Sequence, residues 1–426
     1  NECFLASDIP AMLRHTRDVI FLQDKEIALL DENGIAVFDS CGNSRTPSFF
    51  HVDWDVSSAE KGGYAHYMLK EINEQPDALA RTFSPRMSEG KDGLSWLPIT
   101  REEARSLRKI SIVACGTAYH AGVLGKYAIE KLARVPVEAS IASEYRYRDP
   151  IVEENELCIA ISQSGETADT LAAMREAKKR GARVLAVCNA VGSTLSRETG
   201  EENVLYTYAG PEIAVASTKA YLTQAELMLM IAIALGRLRE TLSHSEAQEL
   251  TDALAALPEQ ANKALENDAA LQRLTSACSQ KKHAFFVGRG MDYALSMEAA
   301  LKLKEVSYIL SEAYAAGELK HGPIALLTEG SLVVATLTQP ALLEKAASNL
   351  REVKARGARV VAVCCQSLAS GLTDAADELI CVPDAHPLFA PLLAAIPLQL
   401  FAYRMAVARG CDVDKPRNLA KSVTVE

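Results

Sequence analysis

Two stretches of this chain repeat one another. GARVLAVC begins at Gly181 and GARVVAVC at Gly357, 176 residues apart. Each follows a basic amphipathic segment, LAAMREAKKR in one case and LREVKAR in the other. Upstream, SIVACGT carries Gly116 and AFFVGRG carries Gly288, 172 residues apart. Two landmarks that agree within a few residues identify two related units in the 426-residue chain. In each unit short apolar runs (IVACG and LCIAIS; FFVGRG and SLVVATL) alternate with helical segments. That is the pattern of a parallel sheet covered on both faces. The expected fold is therefore α/β, with two tandem doubly wound parallel-sheet domains. Such open sheets bind ligands at the carboxyl ends of strands, beside helix N-termini. Gly116, Ser162 and Gly288 fall at such ends.

Composition narrows the partners. The net charge is −10 and the pI about 5.5, which argues against nucleic acid or an anionic membrane surface. A local basic pocket for one phosphate stays open. Ten cysteines include no C-x-x-C pair, and several lie in apolar runs, as Cys158 and Cys188 do. They read as small buried hydrophobes in a reducing, cytosolic compartment, not as disulfides or zinc ligands. The start, NECFLASDIP, has no basic and apolar signal regions. Ala225–Gly236 is too short to span a membrane, and Pro391, Pro397, Gln399 and Arg404 interrupt 387–408. Both read as buried core helices. The chain lacks an initiator Met and opens as a strand, so it is expected to be the C-terminal part of a longer protein.

The rest looks ancillary. Residues 1 to about 45 read as short strands with turns at ENG and CGN. Residues 46–100, with the helical HYMLKEINEQP, fit a linker, and 237–280 a polar helical connector. The end, CDVDKPRNLAKSVTVE, is polar and aperiodic, which on its own reads as a disordered tail.

Four segments could carry chemistry. Ser162-Gln163-Ser164-Gly165-Glu166-Thr167 follows an apolar strand and opens a helix. Free N–H groups and the helix dipole there attract an anion, and Ser162, Ser164 and Thr167 add hydroxyls. There is no Walker lysine and no dinucleotide glycine pattern, which favours a terminal phosphate monoester. The bland alternative is a plain Ser/Thr helix cap. In the second unit the loop reads TLTQPALLEK, without the serine pair and with Pro340, so the first unit alone keeps an anion cradle. In MDYALSMEAALKLKEVSY, Glu298, Lys302 and Glu305 share one helix face. They form either a solvated salt-bridged stripe or, near a strand end, a carboxylate and lysine able to move a proton between adjacent carbons. His321 in EAYAAGELKHGP sits in a loop, a better place for a general acid or base than an apolar helix face. The other seven histidines show no metal-ligand spacing, and no metal or other cofactor is assigned. EIAVASTKA (212–220) precedes an apolar helix; Ser217 or Thr218 reads as its N-cap, compatible with a pocket-lining loop.

These segments together resemble one family. ACGTAYH, SQSGETADT, EIAVASTKA, LKLKEVSY, EAYAAGELKHGP and PRNLAKSVTVE, in this order, are similar to glutamine–fructose-6-phosphate aminotransferases. Each fold copy resembles a sugar isomerase (SIS) domain. The likeness runs from about residue 60 to the end, and NECFLASD resembles the last strands of the family's glutaminase domain. It implies residues 1–59 as a truncated glutaminase remnant of β-strands, 60–100 as linker, 101–245 and 246–410 as two SIS domains, and 411–426 as a tail over the active site.

The resemblance also implies a reaction, fructose 6-phosphate plus ammonia giving glucosamine 6-phosphate, and roles. Ser162, Gln163, Ser164 and Thr167 would hold the phosphate. Thr117, Val215, Ser217 and Ala420 would line the sugar. Glu305 would move the proton between C1 and C2, His321 would help open the ring from the neighbouring subunit of a homodimer, and Lys421 would form an imine with the ketose. Lys302 and Glu298 would support charge in the intermediate. One departure is Ala118, where many members have Ser. Another is the absence of the glutaminase nucleophile, since Cys3 matches the far end of that domain; the chain is therefore expected to use free ammonia, or to act only as an isomerase between hexose 6-phosphates. The rival expectations are a fructosamine-6-phosphate deglycase and a non-catalytic sugar-phosphate sensor. A dehydrogenase fits least, because no G-x-G-x-x-G follows the first strand.

Overall fold

Strands form where small and β-branched apolar residues run unbroken, as in ELCIAIS, which is buried along its whole length. The structure, a computed structural model, describes residues 2–6, 12, 15–23, 25–32, 34–51, 60–87 and 93–425. The chain divides into two units, Asn1–Ala65 and His66–Glu426. The first holds β1 (Asp18–Ile20), β2 (Ile27–Asp31), β3 (Gly34–Phe38), β4 (Ser44–Arg45) and β5 (Phe49–His51), all antiparallel, with β1 beside β5 and the order β2-β3-β4. The β3–β4 turn falls at CGN, where the Asp39 carboxylate accepts from the N–H of Cys41 at 2.9 Å and of Asn43 at 3.0 Å. Asn33 of the ENG turn, residues 52–59 and 88–92 around the expected linker, and the final Glu426 lie outside the described residues.

The second unit begins with α1 (Tyr67–Asn73), α2 (Gln75–Met87) and α3 (Arg101–Ser106). Met68, Ile72 and Leu79 are fully buried in the same core as the sheets. The segment read as a linker is thus built into this unit; its polar outer face disguised a buried stripe.

The first sheet then follows: β6 (Lys109–Ala114), α4 (Gly116–Leu132), β7 (Val137–Ile141), α5 (Ala142–Tyr145), β8 (Glu156–Ser162), α6 (Ala168–Lys179), β9 (Arg183–Cys188), α7 (Thr194–Thr199), β10 (Val204–Tyr206) and α8 (Lys219–Leu238). Its strands are parallel in the order β7-β6-β8-β9-β10. Helices α9 (His244–Ala255), α10 (Leu257–Ala264) and α11 (Asp268–Cys278) lead on, and their Leu250, Leu254, Leu257 and Leu271 join the core. The second sheet comprises β11 (His283–Gly288), α12 (Met291–Ser307), β12 (Leu310–Ala315), β13 (Leu332–Leu337), α13 (Leu343–Lys354), β14 (Arg359–Cys365), β15 (Glu378–Val382) and α14 (Ala390–Ala408). Its parallel order, β12-β11-β13-β14-β15, repeats the first copy strand for strand.

The copies align helix to helix. α4 and α12 each have 17 residues and begin 175 residues apart. At that offset Gly116 matches Met291, so Gly288 is not its counterpart; Gly288 ends β11, and Gly290 takes the position before the helix. Helices α8 and α14 are long and apolar enough to cross a membrane, but 94% and 89% of their apolar windows lie buried inside the fold. Burial accounts for their composition. Gly122 and Gly125 let α4 press against its neighbours: a Cβ would come within 2.7 Å of Ile112 at one and 2.8 Å of Met228 at the other. Five cysteines, Cys158, Cys188, Cys278, Cys364 and Cys365, are buried, and all ten are free thiols.

Candidate active site

The loop from Ser162 to Thr167 leaves the carboxyl end of β8 and enters α6. Gly165 has φ +67°, and a Cβ there would meet Ser193 Oγ at 2.1 Å, so this turn requires glycine. The hydroxyls face one another. Ser162 Oγ lies 3.1 Å from Thr167 Oγ1 and accepts the Gly165 N–H at 3.0 Å. Ser164 Oγ accepts the Glu166 N–H at 3.2 Å and meets Ser422 Oγ at 3.0 Å. The Gln163 carbonyl accepts from the Asn189 and Ala190 N–H groups, both at 3.2 Å. Thr167 precedes the helix but makes no side-chain cap, so the plain-cap reading fails. The first helical N–H, at Ala168, donates to the Val423 carbonyl at 3.0 Å. The groups that the loop presents are therefore mainly hydroxyls, with the C-terminal tail as one wall.

The tail is held along its length. The Asp414 carboxylate accepts the N–H of Tyr67 at 3.0 Å and of Met68 at 2.9 Å, capping α1. Its carbonyl accepts the Val215 N–H at 3.0 Å. The Arg417 guanidinium lies 4.1 Å over the Tyr308 ring. Specific partners of this kind overturn the disordered-tail reading.

Lys421 reaches EIAVASTKA. Its Nζ donates to Glu212 Oε2 at 2.5 Å and to the Ala214 carbonyl at 2.8 Å. Glu212, not Ser217 or Thr218, caps α8: its Oε1 accepts the N–H of Thr218 at 2.9 Å and of Ala220 at 3.0 Å. Ser217 donates its hydroxyl to Glu212 Oε2 at 3.0 Å. Burial alone would raise the Glu212 carboxyl, but the Lys421 ammonium and these donors outweigh it and hold it below the ordinary range. Behind it, Glu71 Oε1 accepts the N–H of Ile213 at 2.5 Å and of Ala214 at 3.2 Å. Burial, then repulsion from Glu212, pushes the Glu71 carboxyl up to about 8.

On α12 the predicted face is not a solvated stripe. Glu298 and Lys302 are each 1% exposed. Lys302 Nζ lies 2.6 Å from Glu305 Oε2 and 3.5 Å from Glu298 Oε1. Burial disfavours its ammonium, but Glu305, Glu298 and more weakly Glu212 hold it charged. The first copy reaches across: Thr117 Oγ1 donates to Glu298 Oε1 at 3.1 Å, and His120 Nδ1 lies 2.8 Å from Glu298 Oε2.

The structure thus joins Ser164, Lys421, Glu212 and Ser217 through the tail, and separately Thr117, Glu298, Lys302 and Glu305 around α12, with the Glu212 charge felt at Lys302 and Val215 bonded to the tail. It leaves two expected residues outside. His321 is exposed at the end of a short 3-10 turn, and Ala420 is exposed in the tail; no hydrogen bond or ion pair among the described residues ties either side chain to the cluster. Ala118 packs half-buried against the core. Three further residues belong here that the sequence does not single out: Glu212 at the head of EIAVASTKA, Glu71 in the supposed linker, and His120 one helical turn beyond Thr117 in ACGTAYH.

In the second copy the matching loop is closed by its own side chains. Asp292 accepts the Thr338 N–H at 2.8 Å and also the Thr338 hydroxyl. Burial pushes this carboxyl up to about 6 against those hydrogen bonds.

Comparison with known proteins agrees with this division. The SIS domain family matches residues 105–234 and 278–409. The chain is 53% identical to a glutamine–fructose-6-phosphate aminotransferase (isomerizing) from Clostridium tetani over 426 residues, 100% of this chain and 70% of that protein. It is 48% identical over 425 residues to the protein of that name from Thermus thermophilus, with the same coverage. Among solved structures, the C-terminal domain of a glucosamine-fructose-6-phosphate aminotransferase from Francisella tularensis matches with TM-score 0.80 and 40% identity, over 84% of this chain and 100% of that one. A glucosamine-6-phosphate deaminase from Thermotoga maritima matches with TM-score 0.67 and 25% identity, over 84% and 99%.

Proposed function

Since the chain belongs to the glutamine–fructose-6-phosphate aminotransferase family, we propose that the cluster at the carboxyl end of its first sheet is the site where fructose 6-phosphate is aminated and isomerised. The chain is an enzyme that converts fructose 6-phosphate to glucosamine 6-phosphate. One observation carries the site assignment. Contacts run from the Ser162–Thr167 loop through Ser422 and Lys421 to Glu212, and a second set joins Lys302 to Glu305 and Glu298 within reach of the Glu212 charge.

The roles are those that the family resemblance implies, His321 and Ala420 included although the contacts leave both outside the cluster. Ser162, Gln163, Ser164 and Thr167 hold the phosphate, and Thr117, Val215, Ser217 and Ala420 line the sugar. Lys421, once it has given up its proton to water, adds its free amine to the C2 carbonyl of the open-chain ketose with loss of water. Ammonia displaces the lysine from that imine. Glu305 then takes a proton from C1 and returns it to C2, leaving an amino group on C2 and an aldehyde at C1. Lys302, with Glu298, balances the charge that develops on the intermediate. His321, exposed in one chain, is placed at ring opening in the site of a neighbouring copy, on the family's expectation of a cytosolic homodimer. On this reading residues 101–245 are the anion-holding domain, 246–410 the acid–base domain and 411–426 the lid. The test is product formation from fructose 6-phosphate and ammonium. Glucosamine 6-phosphate is the expected product. Bound fructose 6-phosphate with no product would leave a sugar-phosphate sensor instead.

A further inference from the structure

His120 is half-buried on α4 of the first copy, with its imidazole against a carboxylate on α12 of the second. A carboxylate oxygen only accepts, so Nδ1 carries the proton of this contact. With Thr117 on Oε1 and His120 on Oε2, both oxygens of Glu298 are served from the first copy. That leaves Lys302 to lean toward Glu305, at 2.6 Å against 3.5 Å to Glu298.

We infer that His120 is a positioning residue for the proton transfer: by satisfying Glu298 it assigns Lys302 to Glu305 and so holds the base in place. The inference rests on the reading of Glu305 as the proton carrier. Its physical basis is the cost of a buried, under-paired carboxylate. Remove the His120 donor, and the nearest cation able to serve Glu298 is Lys302. The ammonium then shifts along α12, and Glu305 loses the contact that fixes its carboxylate. The charges near His120 are Glu298, Lys302 and Glu305 on α12. Tyr221 on α8 also feels the Glu298 charge and remains a neutral phenol, since burial and then Glu298 hold its hydroxyl well above the ordinary range.

The experiment measures kcat and KM for glucosamine 6-phosphate formation from fructose 6-phosphate and ammonium. It uses the whole chain as wild type, His120→Leu and His120→Asn, with thermal unfolding of each. The Leu variant keeps bulk but no donor; Asn keeps an N–H donor. Expected is a loss of about ten- to a hundredfold in kcat for His120→Leu with KM unchanged. The Asn variant should return to within about threefold of wild type, as one restored donor predicts. Wild-type kcat in His120→Leu overturns the inference. So does an equal loss in both variants with a raised KM or a lowered unfolding temperature, the mark of a merely structural histidine. An inactive wild type overturns the functional reading instead, and this inference with it.

Discussion

In the first copy the loop after the third strand of the chain-order sheet, Ser162–Thr167, turns its hydroxyls toward one another and toward the tail. In the second copy the matching loop turns inward, and Thr338 spends its N–H and hydroxyl on Asp292 of its own α12. The folds are otherwise alike in strand order and helix length. At the 175-residue offset that aligns α4 with α12, Glu298 and Lys302 fall on Val123 and Tyr127, and His120 falls on Leu295. On the proposed reading each copy keeps half of a site: the first the anion loop and the donors Thr117 and His120, the second the Glu298–Lys302 pair, while Glu305 falls on Glu130 of the first copy. Duplicated sheets supply two equivalent ligand positions, and one becomes free to carry a carboxylate that would repel a phosphate.

The comparison breaks most sharply at Glu305. Glu305→Gln should lower turnover by about a thousandfold or more while fructose 6-phosphate still binds, because the amide cannot take the C1 proton. Calorimetric titration of the variant with fructose 6-phosphate checks the second half of that statement. Parallel substitutions in the two loops come next. Ser164→Ala should raise KM about tenfold, the worth of one hydrogen bond to a charged group. Thr338→Ala should leave KM unchanged and lower unfolding stability by about 1–2 kcal/mol, because Asp292 loses its hydroxyl partner. Steady-state kinetics beside denaturant unfolding separates the two effects. If both substitutions change KM alike, the loops have not diverged in function.

A smaller effect lies in the pH dependence of stability. The Asp292 carboxyl titrates near 6 when folded and near 3.8 when exposed. Between those values the folded chain holds a proton that the unfolded chain has lost. Its contribution to stability is therefore complete below about 3.8 and lost as pH rises to about 6. In Asp292→Asn this dependence disappears. The stability of wild type relative to the variant should fall by about 1–3 kcal/mol from about pH 4 to about pH 7. A flat difference across that range would show that Asp292 stays ionised, with the loop of the second copy open to solvent.

The fold was legible because strands covered on both faces must be apolar throughout, and ELCIAIS and SLVVATL could be little else. The register between the copies was less so: Gly116 and Gly288 serve different geometries, and a glycine marks a need for backbone freedom rather than a position in the repeat. The site was half legible. Ser164, Lys302 and Glu305 stand in motifs whose residue types point to their chemistry, whereas Lys421 came only through the family resemblance, since its segment alone reads as a polar tail. Glu71 and Glu212 were not, because each becomes meaningful only when α1 folds beside a loop some 140 residues on, with Glu71 contacting Ile213 and Ala214. A carboxylate that caps a helix from six residues away, as Glu212 does for Thr218, also looks in sequence like any polar approach to a helix. For His120 the signal was present: Thr117 and His120 are three apart on one helix face. Its partner Glu298, 178 residues away, was not.

The central claim is that one copy holds the phosphate while the other moves the proton. A crystal structure of the chain with fructose 6-phosphate bound tests it most directly. The account predicts the phosphorus at the hydroxyls of Ser162, Ser164 and Thr167, with C1 and C2 facing Glu305 and the Lys421 amine beside C2. Phosphate density at Thr338 and Asp292, or a sugar bound away from Glu305, would contradict it.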